Sequence, residues 1–251
     1  MKKLLFILFV FTGFTCFSFA QDRVFYAEGS YGVKKIALTF DDGPGAITSE
    51  ILAILKDKGV KATFFMLGCN VTTYPGLAQA VADAGHEVAN HTYNHINFFN
   101  YSGGKVITFY LPYRAQKNPF VFKPYKSSHK TVVQNAVIKD EITKTQDAIF
   151  AATGVKTKLI RFPHGYSRPD GITTAKNLGY KIVNWSAGYD WHNMSAEAMH
   201  DKYKTAIRNG AIILMHDGSR SKKVPAFLGE FIDEIKAQGY EIVTVSELLG
   251  L

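Results

Sequence analysis

The sequence predicts an α/β fold: a closed or nearly closed (β/α) barrel of about seven parallel strands in a single domain. Three observations carry this. Short buried strand patterns alternate with amphipathic helical patterns along most of the chain, as βαβ units of a parallel sheet require. Glycines such as Gly59, Gly85 and Gly154 mark the returns from helix to strand. The 251 residues, 47% of them hydrophobic, show no break in composition at which a second domain would start. An open doubly wound sheet is the competing arrangement. It is weakened because no G-x-G-x-x-G phosphate loop follows the first strand.

The first twenty residues stand apart. Lys2-Lys3 precede an apolar run from Leu4 to Val10 that continues with few polar interruptions to Phe19. Ser18-Phe19-Ala20 then offers small residues where a signal peptidase reads, so 1–20 is expected to be a secretory signal peptide. The stretch is short for a spanning helix, so no stable membrane anchor is expected after cleavage. Removing Lys2, Lys3 and Cys16 takes the formal charge from +8 to +6 and leaves Cys69 as the single cysteine. An intramolecular disulfide is then excluded.

A lead-in at 21–34 is followed by a strand at 35–40. The helix at 48–58 places Ile51, Leu52, Ile54 and Leu55 on one face and closes at Gly59. A strand at 62–67, a helix at 74–84 stopped by Gly85 and a short strand at 87–90 come next. The rhythm then breaks in an insertion at about 96–130, where Gly103-Gly104, Pro112, Pro119 and Pro124 lie among many aromatics. Residues 106–110 and 120–122 are expected to pair there as a hairpin. The insertion carries Lys105, Arg114, Lys117, Lys123, Lys126 and Lys130 with no acid, so it holds the whole excess charge of the mature chain. Charge so localised describes a basic surface flap, and no nucleic-acid partner is expected. Beyond it the pattern resumes with a helix at 131–153, a strand at 158–162 and a helix at 171–178. A strand at 180–185, a helix at 195–208, a strand at 211–215 and a helix at 224–238 follow. A strand at 240–244 and a last helical turn at 246–249 complete the chain.

In parallel βα folds the chemistry gathers at the C-terminal ends of the strands. The unusual polar residues fall there repeatedly: Asp41 and Asp42 after the first strand, His91 after the third and Arg161 at the end of the fourth. Asp190-Trp191 lies in the loop after the fifth, and His216 ends the sixth. Two adjacent aspartates repel, so the pair needs a cation or a split of roles, one as metal ligand and one as free base. Asp-Asp-Gly-Pro is also good turn chemistry. His91 and His95 stand four apart, which one helical turn would bring to the same side. With a carboxylate from the first strand they make a His-His-Asp metal triad with open positions, for which zinc is the default ion. The same ligand set also describes an iron(II) oxygenase, which the βα pattern and the second aspartate disfavour. Arg161 could hold Asp41 ionised through a charge-assisted pair. His216 could face the metal from across the barrel as a general acid, with Asp190 orienting and charging it. Each residue alone also has an ordinary reading as a turn residue, a surface salt bridge or a solvated histidine.

Taken in order, Thr39-Phe40-Asp41-Asp42-Gly43-Pro44, His91-Thr92-Tyr93-Asn94-His95, Arg161-Phe162-Pro163-His164-Gly165, Asp190-Trp191 and Leu214-Met215-His216 resemble the NodB-homology polysaccharide deacetylase family. The likeness covers roughly 35–251 apart from the insertion. It implies an irregular (β/α) barrel with a divalent metal on Asp42, His91 and His95. It further implies Asp41 as catalytic base, His216 as general acid, Arg161 tethering Asp41 and Asp190 tuning His216. The backbone N–H of His164 would help hold an oxyanion, and Trp191 and Leu214 would line a pocket for an acetyl methyl. The implied activity is that of a secreted, metal-dependent N-deacetylase acting on GlcNAc- or MurNAc-type residues of peptidoglycan or a chitin-like polymer, the acetylated polysaccharide being its partner. An O-acetyl esterase on xylan and a catalytically silent carbohydrate-binding domain are the alternatives. Two features depart from the family pattern. Phe162 and His164 stand where Pro and Tyr are common, and compact members lack the insertion. Its aromatics, among them Tyr101, Tyr110 and Phe120, could stack on sugar rings or simply pack on the barrel.

Overall fold

The computed structural model of the chain describes residues 23–98, 131–218 and 222–251. Its strands are β1 (Phe25–Tyr26), β2 (Lys35–Gly43), β3 (Thr63–Met66), β4 (Glu87–Asn90), β5 (Leu159–Ile160), β6 (Lys181–Val183), β7 (Ala187–Gly188), β8 (Ile212–His216) and β9 (Glu241–Val243). The helices are α1 (Thr48–Asp57), α2 (Gly68–Thr73), α3 (Pro75–Asp83), α4 (Thr131–Thr153), α5 (Pro169–Asn177), α6 (Ala196–Lys204), α7 (Val224–Ala237) and α8 (Val245–Leu249). All strand pairs are parallel, in the lateral order β1-β6-β5-β4-β3-β2-β8-β7, with β9 beside the start of β2.

The sheet closes on itself through one segment. β6 lies near one end of the lateral order and β7 at the other, yet only Asn184, Trp185 and Ser186 separate them in the chain. The N–H of Asn184 bonds to the carbonyl of Tyr26 in β1, and that of Ser186 to Ile212 in β8. This split strand is the seam, and it makes the barrel irregular. The seven expected strands correspond to β2, β3, β4, β5, β6, β8 and β9. β1, inside the expected lead-in, and β7 are two residues long, too short to show a period.

Strand alternation sorts the core into two layers. Ala37, Phe65, Ala89, Leu159, Val183, Ile212 and Val243 come one from each of seven strands and form a single buried cluster, the barrel interior. Ile36, Leu38, Phe40, Phe64, Met66, Val88, Ile213 and Met215 face the other way, beneath the helices. Both faces are buried, which is why the strands read as continuous apolar runs. The same parity carries Thr39 and Asp41 inward after Ala37, and Arg161 inward after Leu159.

The helical layer follows the 3.6-residue period. α7 buries Val224, Phe227, Leu228, Phe231, Ile232 and Ile235, a single stripe along fourteen residues. Phe231 is fully buried. Phe231→Ala is expected to lower stability by about 3–5 kcal/mol, seen as a shift in the denaturant midpoint. α8 begins with a capping box between Thr244 and Glu247 and places Val245 and Leu248 in the interior cluster. The N–H of Val245 bonds to Thr63 Oγ1 at 2.9 Å, at the first residue of β3. α8 therefore plugs the end of the barrel opposite the strand C-termini. α2, with six residues opening on Gly68, lay below the reach of periodicity.

The expected signal peptide at 1–20 and the hairpin at 106–110 and 120–122 lie outside the described residues. Among those described, no helix is long and apolar enough to cross a membrane.

Candidate active site

β2 does not stop at Phe40 but runs on through Asp41, Asp42 and Gly43. Asp41 pairs with Phe65 and Gly43 with Met66, so Asp42 is the extra residue of a bulge, with φ at 68°. A regular strand would send neighbouring side chains to opposite faces; the bulge brings both carboxylates to the mouth of the barrel. Gly43 is required there, because a Cβ would stand 2.1 Å from Asp217 Oδ2.

Asp41 is paired with a buried cation. Arg161, fully buried, donates from Nη1 to Asp41 Oδ1 at 2.6 Å and to Thr39 Oγ1 at 2.9 Å. Its Nε reaches the carbonyl of Val183 and its Nη2 that of Asn184, both at 3.0 Å. The guanidinium lies over the Phe65 ring at 4.0 Å. A buried charge is tolerated only when its donors are used in this way.

His91 and His95 converge, but not by a helical turn. Residues 91–95 form an irregular loop in which Thr92 has φ 69° and His95 φ 55°. His91 Nδ1 lies 2.7 Å from the carbonyl oxygen of Arg161. A carbonyl can only accept, so Nδ1 carries the proton and the Nε2 lone pair is directed elsewhere. His91 Nε2 is 3.4 Å from Asp42 Oδ1 and 3.6 Å from Asp41 Oδ2, and His95 Nε2 is 3.2 Å from Asp42 Oδ1. One ligand atom from each of Asp42, His91 and His95 lies within 4.8 Å of the others. Asp42 Oδ1 is buried and accepts no hydrogen bond. Acceptor atoms turned on one another repel unless a cation stands among them, so these residues fit a divalent ion. Burial pushes the Asp42 carboxyl up, but His91, His95 and His216 outweigh it and hold it well below the usual carboxylate range. Burial likewise lowers the His91 imidazole, and Asp41 and Asp42 raise it by more.

His216 ends β8, and the register sets it directly beside Asp41 on β2. It therefore approaches from the adjoining strand and not from across the barrel, because strand order in space differs from order in sequence. Asp190 grips it twice: Oδ1 lies 2.9 Å from His216 Nδ1, and Oδ2 accepts the His216 backbone N–H at 2.8 Å. Nε2 is left as the nitrogen for proton exchange. Burial lowers the imidazole pKa, but the Asp190 hydrogen bond and charge, with Asp41 and Asp42 behind them, push it up to about 9. Behind Asp190 stands Tyr203, fully buried, whose hydroxyl accepts the Asp190 N–H at 3.2 Å and donates to the carbonyl of Leu214 at 2.7 Å.

The wall is apolar. Trp191 meets Trp185 with ring centroids 6.3 Å apart and stands edge-on to His216 at 5.8 Å. Gly188 admits the Trp191 ring where a Cβ would lie 2.9 Å from it. Trp191 is 52% exposed at the rim and Leu214 lies buried at the base. His164 occupies a 3-10 turn, Pro163–Gly165, at φ 59°, and its ring sits 4.8 Å from that of His95. Asp42, Thr92, His95 and His164, the non-glycine residues at positive φ among those described, all belong to this site, where strained backbone concentrates.

Together these groups enclose a cavity of about 340 Å³ lined by Asp41, Asp42, His91, His95, His164, Trp185, Asp190, Trp191, Leu214 and His216. Nine of the ten residues singled out in the sequence line it, and Arg161 lies buried behind Asp41. Trp185 was not among them, although its place at the C-terminal end of an expected strand was a usable signal. Tyr203, Asp217 and Glu141 had no signal, since they stand inside helical patterns or in a turn.

A parallel (β/α) barrel with a carboxylate–imidazole–imidazole cluster at its strand ends, flanked by a tethered carboxylate and a tethered imidazole, is the architecture of a barrel protein with a candidate metal site at the C-terminal ends of its strands. The model of the polysaccharide deacetylase family matches residues 28–183, and the chain belongs to that family. It is 34% identical over 222 residues to a peptidoglycan-N-acetylglucosamine deacetylase of Bacillus cereus, covering 86% of this chain and 88% of the relative. It is 33% identical over 219 residues to the peptidoglycan-N-acetylglucosamine deacetylase PgdA of Listeria monocytogenes, covering 86% of this chain and 39% of that protein. The chain thus spans about two fifths of the length of the Listeria relative. Among solved structures, the Bc1960 peptidoglycan N-acetylglucosamine deacetylase superposes with a TM-score of 0.75 at 27% identity, over 94% of this chain and 97% of that one.

Proposed function

We propose that this chain is an exported, metal-dependent deacetylase that hydrolyses the N-acetyl group of GlcNAc- or MurNAc-type residues in peptidoglycan or a chitin-like glycan. The observation that carries this reading is the pairing of Asp41 with His216 on adjoining strands, beside the Asp42, His91 and His95 cluster. The names of the relatives point to acetylated amino sugars as the substrate class. Export rests on the signal-like pattern of residues 1–20.

Asp42, His91 and His95 would hold the ion, and zinc suits two imidazoles and one carboxylate. When bound, such an ion polarises an acyl carbonyl and lowers the pKa of a water beside it. Asp41, oriented by Arg161, accepts the proton of the attacking water. The N–H of His164 supports the oxygen on which negative charge develops. An amide nitrogen departs only when protonated, and His216, kept charged by Asp190, supplies that proton. Trp185, Trp191 and Leu214 shape an apolar wall suited to a methyl group.

Acetate release from peptidoglycan, chitooligosaccharide and acetylxylan, with and without chelator, tests the reading. Release from the two amide substrates, abolished by chelator and restored by Zn2+, is the expected result; a clear preference for acetylxylan would replace the N-deacetylase with an O-acetyl esterase.

The general-acid role has a pH signature. His216 acts in its protonated form, so kcat should fall as pH rises through about 9. In Asp190→Asn the main raising influence is gone while burial remains, so the alkaline limb should move down by more than two units, to the ordinary histidine range near 6.5 or below. A pH–kcat profile reads this directly, and an unmoved limb would remove His216 from the role.

A further inference from the structure

We infer that Glu141, on α4, is the positioning residue that holds His95 in its cation-binding place beside His91; this rests on the reading of Asp42, His91 and His95 as ligands. Glu141 is 4% exposed, and among the described residues it forms no salt bridge with a Lys or Arg. Its carboxylate is instead spent on the segment between the two histidines. Oε2 accepts the backbone N–H groups of both Tyr93, at 2.9 Å, and Asn94, at 2.8 Å, while Oε1 accepts from Asn94 Nδ2 at 2.7 Å. Three donors from two successive residues converge on one buried acid.

That segment needs such a clasp. Thr92 and His95 both sit at positive φ, so the loop is not held by the repeating bonds of a helix. Its first half is fixed otherwise: Asn90 Oδ1 accepts the Thr92 N–H at 2.9 Å, and the Arg161 carbonyl holds the His91 ring. The second half also meets α2, where the N–H groups of Gly68 and Cys69 donate to the carbonyls of Thr92 and Tyr93. Glu141 takes the two N–H groups that immediately precede His95. α4 is anchored in turn to the end of β4, where Asn90 Nδ2 donates to the Ile142 carbonyl at 2.9 Å. Outer partners that fix the orientation of ligands commonly change metal affinity by 10–100-fold when removed. Glu141 lies 46 residues beyond His95 in the chain and carries no motif.

The test is Zn2+ affinity, measured by competition with a chromophoric chelator on the folded chain well below its unfolding temperature. Glu141→Ala should bind Zn2+ about 10–100-fold more weakly. Glu141→Gln keeps an oxygen for the two backbone N–H groups but turns an NH2 toward Asn94, so it should fall between, and it serves where the alanine variant does not fold. Activity lost at equimolar Zn2+ should return at a large excess. Asp140→Asn, on the exposed side of α4, should match the unsubstituted chain, and His95→Ala should lose binding. Wild-type affinity in folded Glu141→Gln and Glu141→Ala, with His95→Ala impaired, would overturn the positioning role alone. If the unsubstituted chain takes up no Zn2+, or His95→Ala binds as well, the ligand assignment falls and this inference with it.

Discussion

Asp41→Asn is expected to lower kcat about a thousandfold while leaving Zn2+ uptake nearly unchanged, because a positioned general base contributes 10²–10⁴-fold. The substitution is close to isosteric, and its amide oxygen can still accept from Arg161 Nη1, which now stands 2.6 Å from the carboxylate. It cannot accept a proton from water. The three proposed ligand atoms belong to Asp42, His91 and His95, so the ion site itself should be spared. Acetate release and chelator competition on the same preparation separate the two effects. Activity within tenfold of the unsubstituted chain would show that Asp41 is not the base, and parallel loss of Zn2+ would make it a ligand.

Arg161→Met should produce the largest loss of stability of any single substitution at the site, about 3–5 kcal/mol, with activity lost alongside. Methionine fills much of the space, so the loss comes less from a cavity than from charge. Asp41, 2% exposed, would stay in the interior without its guanidinium, and the carbonyls of Val183 and Asn184 would lose their donors. This origin makes a further claim. Removing the stranded charge in the double variant Asp41→Asn/Arg161→Met should recover part of the stability, a non-additivity that denaturant unfolding of the four chains measures. Additive losses would mean that packing of Arg161 over Phe65 matters more than the ion pair.

Much of the site was legible because strand periodicity and the direction of a parallel sheet are local properties. Once 35–40, 87–90 and 211–215 read as strands, Asp41, His91 and His216 had to emerge at the same end. Their mutual geometry was not legible. The spacing of His91 and His95 suggested a helical turn, and the structure has a left-handed loop held partly from α4. The expected place for His216 was across the barrel, and the sheet order makes it a lateral neighbour of Asp41. The bulge at Asp42 is followed by Gly43, which fits against Asp217, a residue 174 positions away.

By itself, the amino-acid sequence determined the βα rhythm and the kinds of chemistry collected at one edge, since each depends on residues within a strand or a helical turn of one another. Tertiary structure alone decided which strands touch, where the barrel is stitched shut through β6 and β7, and which buried partners hold each reactive group. Those choices turn on contacts between segments far apart in the chain, and short-range spacing carries no record of them.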